Sequence, residues 1–113
     1  MTRPQRRHAR YEVALMAEVS LGTEVLAAST DNLSLGGAAL VLERSPSEGT
    51  VVTVSLFLTQ DGIEDPNERP IEAGATVVWS LPRDDGRHVM GVQFDSLDAT
   101  QRAQLERFLA ALS

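Results

Sequence analysis

The sequence predicts one mainly β domain, a barrel or sandwich of six short strands followed by a single C-terminal helix. Three observations predict it. Apolar and polar residues alternate with period two in short segments, clusters of Gly, Pro and Asp interrupt those segments at regular spacing, and only the C-terminal end changes to a helical period. A chain of 113 residues is long enough for one hydrophobic core.

The first strand is read from Val13, Leu15, Ala17, Val19 and Leu21, which alternate with Glu12, Ala14, Met16, Glu18 and Ser20. Gly22-Thr23 interrupts it, and residues 24–30 read as a second strand. "DNLSLGG" (31–37) is polar and glycine-rich, which predicts a turn. "AALVLE" (38–43) is a short apolar strand, 44–50 a loop, and "VVTVSLFLT" (51–59) the strongest strand signal. The acidic segment 60–70 holds two prolines and reads as a solvated loop. Residues 71–80 form the fifth strand, with Gly74 at a bulge, 81–87 a hairpin connection, and 88–94 the strand that pairs back. At the end, Leu105, Phe108, Leu109 and Leu112 fall on one helical face, and Asp98 with Gln101 offers a capping box that starts a helix over 98–112. A helix this short is unstable alone, so its apolar stripe is expected to pack on an open end of the β-domain.

Charge divides the chain in two. The formal net charge is −6, yet Arg3, Arg6, Arg7 and Arg10 give the first ten residues four positive charges and no negative one. The domain organisation expected is therefore a flexible basic N-terminal arm, 1–10, on a domain spanning 11–113. An acidic body repels nucleic acid, so neither DNA nor RNA is expected as a partner. A local basic arm instead suits a small, multiply charged anion held between arm and body. No apolar run reaches the length of a membrane span, and no leader pattern follows the arginines, so membrane insertion and secretion are not expected. The chain has no cysteine, which fits a reducing cytoplasm and excludes disulfides and thiolate chemistry.

Two motifs stand out. Arg6-Arg7-His8-Ala9-Arg10 contains R-x-x-x-R, and Asn32-Leu33-Ser34-Leu35-Gly36-Gly37 reads [D/N]-x-S-x-x-G. A guanidinium offers a planar fork of donors that matches both phosphate oxygens and the O6/N7 edge of guanine. Side chains such as Asn32 and Ser34 cap turns through hydrogen bonds to nearby backbone. Gly36 and Gly37 admit close backbone approach or positive φ.

These two motifs, in this order and spacing, resemble the PilZ family of cyclic di-GMP receptors. "ATVVWS" (75–80), "GVQF" (91–94) and the terminal "LERFLAAL" extend the likeness over essentially the whole chain. The resemblance implies a six-stranded antiparallel β-barrel with a C-terminal helix and cyclic di-GMP as ligand. Arg6 and Arg10 would take guanine and phosphate contacts, Arg7 would add another, and Asn32, Ser34, Gly36 and Gly37 would line the site. For Trp79, in mid-strand, the core is the default place, whereas some family members set an aromatic near this position against a guanine. Gln5 stands where many members have a further basic residue, a position that bears on whether one ligand or a stacked pair binds. The implied protein is a monomer or homodimer and passes the signal to a separate effector protein. The rival reading is an interaction module of the same fold that no longer binds nucleotide and serves a motility, polarity or secretion complex.

No catalytic residue is expected: there is no nucleophile elbow, no Walker-type loop and no dinucleotide fingerprint. No metal is expected either, because His8 and His88 lack partners at ligand spacing and the acidic loop lacks the oxygen pattern of an EF-hand.

Overall fold

In the computed structural model, residues 9–60, 63–64 and 70–112 are described. The strands are β1 (Met16–Leu21), β2 (Glu24–Leu33), β3 (Gly37–Leu42), β4 (Val51–Leu56), β5 (Thr59–Gln60), β6 (Ile63–Glu64), β7 (Ile71–Pro82) and β8 (His88–Ser96), followed by helix α1 (Ala99–Leu112). Six of them close into an antiparallel barrel in the order β1-β2-β3-β8-β7-β4, with β4 pairing back onto β1. The expected fold class is therefore present. The fourth strand, read as 51–59, ends at Leu56, and the two-residue strands β5 and β6 form a separate small ribbon across the boundary with the segment 60–70 read as a solvated loop, a correction to both readings.

Period-two patterning sends alternate residues into the barrel. Val19, Leu40, Leu42, Val54, Leu56, Ile71, Val77 and Met90 are all essentially inaccessible. A six-stranded barrel has no room for a ligand once such side chains fill it, so any binding site must lie on the outer wall or at a mouth. Leu105 and Leu109 of α1 join the same buried cluster, and Gln101 Nε2 donates to the Glu72 carbonyl at 2.7 Å near the start of β7. The helix thus closes the barrel mouth where β7 begins. Its start is as read: Gln101 N–H donates to Asp98 Oδ1 at 2.7 Å, and Asp98 N–H to Gln101 Oε1 at 3.4 Å. Leu112, placed on the apolar stripe by spacing, is instead 43% exposed, because the helix has run past the barrel by then.

The first strand departs from the sequence reading in an informative way. Alternation begins at Tyr11, but ladder pairing begins only at Met16. Between them, buried Thr30 of β2 bonds the chain with its side chain. Its Oγ1 accepts the Leu15 N–H at 2.8 Å and donates to the Val13 carbonyl, while the Thr30 N–H donates to the Leu15 carbonyl at 2.8 Å. Tyr11 and Leu33 then exchange two backbone hydrogen bonds, each 2.9 Å. Tyr11 is therefore anchored beside the end of β2, and Arg10 is the residue immediately before that anchor.

Candidate ligand site on the outer wall

The second motif is half strand and half turn. Asn32 and Leu33 still pair within β2, whereas the sequence reading put the whole of 31–37 in a turn. A register shift between Thr30 and Asn32 leaves Asp31 as an extra residue. Such a bulge re-aims the side chain after it. Thr30 and Leu33 face the core, so Asn32 is turned to the outside, opposite Ala39 of β3, which is itself buried.

The turn proper is organised by Ser34. Its Oγ accepts the N–H groups of Gly36 (3.1 Å) and Gly37 (3.2 Å) and donates to the Gly37 carbonyl (3.3 Å). The Ser34 N–H also donates to that carbonyl at 2.9 Å. A hydroxyl has one donor and two lone pairs, so this one is fully occupied within the turn. Gly37 is not left-handed; among the described residues the glycines at positive φ are Gly22, Gly49 and Gly86. The need at Gly37 is space. A Cβ there would lie 2.1 Å from the Val92 carbonyl oxygen, so β3 and β8 approach too closely for any side chain.

Across the wall, a second register shift falls between Val77 and Trp79, with Val78 as the extra residue. Strict alternation from buried Val77 would send Trp79 into the core. The bulge turns it out instead, and its indole lies over Gly91 of β8: a Cβ at Gly91 would sit 2.1 Å from Trp79 Nε1 and 2.2 Å from Cε2. The core placement that is the default for a mid-strand tryptophan does not hold here.

Both re-aimed side chains reach one line across the sheet. Asn32, Ala39, Gly91 and Trp79 are successive cross-strand partners on β2, β3, β8 and β7. The two bulges therefore put an amide and an indole at opposite ends of one cross-strand line, with Ala39 buried and Gly91 covered by the indole. Above it is a solvent-facing cavity of about 280 Å³. Arg10, Asn32, Ser34, Gly36, Gly37 and Trp79 all line it, together with Gly91 and Gln93. Arg10 has no ion-pair partner among the described residues, so an uncompensated cation stands at the rim. Arg6, Arg7 and His8 lie outside the described residues. Gly91 and Gln93 were missed by sequence reasoning; the available signal was a glycine interrupting an otherwise apolar strand, "HVMGVQF".

Among the described residues no group of three or more His, Cys, Asp or Glu could hold a metal, and His88 Nδ1 lies 3.2 Å from the Glu43 carbonyl, a hydrogen-bonding distance. No described helix is long and apolar enough to cross a membrane.

The chain is thus a closed six-stranded β-barrel domain with a capping helix and a polar-aromatic cavity on its outer wall. The PilZ domain model matches residues 4–111, and the chain belongs to the PilZ domain family. Among solved structures, it is similar to the Bacillus subtilis inhibitor of motility MotI/DgrA, with a TM-score of 0.77 and 20% identity over 93% of this chain. The chain spans only 49% of that protein's length. The PilZ domain of YcgR from Escherichia coli, solved with c-di-GMP, gives a TM-score of 0.71 at 17% identity, covering 96% of this chain and 92% of that one. The PilZ domain of CeSA from a cellulose-synthesizing bacterium gives 0.59 at 21% identity, covering 92% and 97%. No curated protein sequence matches significantly.

Proposed function

We propose that this domain is a cyclic di-GMP receptor that closes its arginine arm over the ligand and signals to a separate effector protein. The observation that carries the reading is the convergence of Arg10, Asn32, the Ser34–Gly37 turn and Trp79 on one cavity, in a chain of the PilZ family. Cyclic di-GMP brings two phosphodiester charges and two planar guanines. Arg10, joined by Arg6 and Arg7 of the arm, meets the phosphates and a guanine edge with forked donors. Asn32 offers an amide to a guanine's polar edge, and Trp79 offers a ring face for stacking. Ser34 acts by holding the turn, since its own hydroxyl is spent there, and Gly36 and Gly37 keep that turn thin.

Ordering the arm costs roughly 1–2 kcal/mol per fixed residue. Charge-assisted hydrogen bonds of about 1.5–3 kcal/mol each offset that loss. The arm's movement hides or creates a surface for the partner, so the domain binds without turning its ligand over and uses no cofactor or metal. In this reading it works in the cytoplasm, as a monomer or homodimer, in circuits such as motility or biofilm control.

Isothermal titration with cyclic di-GMP tests the proposal. The wild type is expected to bind, and the double variant R6A/R10A to lose binding while keeping its melting temperature. Absence of heat from a well-folded wild type at tens of micromolar ligand would favour the rival interaction module.

A further inference from the structure

Gly91 is far from both sequence motifs, yet it meets the cavity through Trp79. The three atoms closest to its absent Cβ are Nε1, Cε2 and Cδ1 of that indole, at 2.1, 2.2 and 2.7 Å. All three belong to the five-membered ring, so this part of the indole rests on the β8 backbone. The same indole lines the cavity. Ordinary carbon contacts lie near 3.5–4.0 Å, so a single methyl at 91 would push the ring outward by roughly 1.5 Å.

We propose that Gly91 is a positioning residue for ligand recognition, its missing side chain setting the depth at which the Trp79 indole presents its stacking surface to the cavity. This rests on the receptor reading above. The indole is half-buried and outside the barrel core, so a methyl at 91 displaces a side chain that has somewhere to go. The fold survives and the stacking geometry does not. Other features of the wall fit this role. The Val78 bulge brings Trp79 opposite Gly91 in register, and Gly91 itself lines the cavity beside the indole.

The test is a double-mutant cycle read by cyclic di-GMP titration and by the emission of Trp79, the only tryptophan in the chain. G91A is expected to weaken binding by about tenfold to a hundredfold, the span of base–aromatic stacking, and to shift the Trp79 emission maximum in the free protein. In the W79A background, G91A is expected to change affinity by less than about twofold, because the ring it positions is gone. Unchanged affinity in G91A would overturn the inference. So would an equal loss in W79A/G91A relative to W79A, which marks a purely structural role. A G91A protein that fails to fold would also overturn it, because the indole would then have no room to move aside. A wild type that binds nothing refutes the receptor reading instead, so the two failures are distinct.

Discussion

Gly37 and Gly91 stand on neighbouring strands of the same wall, and at each an added Cβ would overlap another atom at 2.1 Å. The obstacles differ. At Gly37 it is the Val92 carbonyl, part of a backbone ladder held from both sides; at Gly91 it is an indole that can swing outward. Identical overlap therefore has different consequences: one glycine protects the barrel, the other the shape of the cavity. The same division separates the two walls of the site. The Ser34 turn is held by hydrogen bonds between residues at most three apart, whereas the Trp79 wall depends on a bulge and on a strand partner twelve residues away.

The sharpest way to break this comparison is the Gly37→Ala variant. With nowhere for the Val92 carbonyl to move, it is expected to cost about 3 kcal/mol or more in urea unfolding, against about 1 kcal/mol for Gly91→Ala. Equal losses would mean that the indole is as immovable as the backbone. Next in size is Ser34→Ala. It strips the Gly36 and Gly37 N–H groups of their acceptor, and an unfolding free energy lowered by about 1–2 kcal/mol is expected. Faster amide exchange at both glycines would locate the effect in the turn. The smallest stability change is expected for Asn32→Ala, within about 0.5 kcal/mol, because its amide makes no hydrogen bond among the described residues and faces outward. Its effect belongs to binding, with cyclic di-GMP affinity falling about tenfold for one lost amide contact. A destabilised Asn32→Ala with unaltered affinity would move this residue from the binding side of the comparison to the structural side.

Local signals explain what could be read in advance. The alternation of Ala17 and Val19 with exposed Glu18, and of Val52 and Val54 with exposed Thr53, reports the barrel interior directly. Asp98 and Gln101 form their reciprocal cap because both partners lie within one helical turn. Gly74 lies beside a bulge, as the sequence suggests, but the extra residue is Asp95 of the partner strand β8 and not the glycine. The misses share one cause. Asn32 was assigned to a turn and Trp79, by default, to the core because neither bulge has a local signature: an extra residue shows only against the partner strand. Thr30 was invisible for a related reason, since its hydroxyl bonds Leu15, fifteen residues earlier in the chain.

By itself the sequence determined a barrel or sandwich of short strands with a capped helix, a basic N-terminal stretch in an acidic chain, and a polar Asn-Ser-Gly segment. Period, charge and capping all act over a few residues. Only the tertiary structure decided which side chains face the cavity. Two strands that flank the β3–β8 pair each gain one residue against their partners, and this reverses the inside–outside alternation just where Asn32 and Trp79 stand. That choice depends on strand pairing between distant segments, and strand pairing exists only once the barrel has closed.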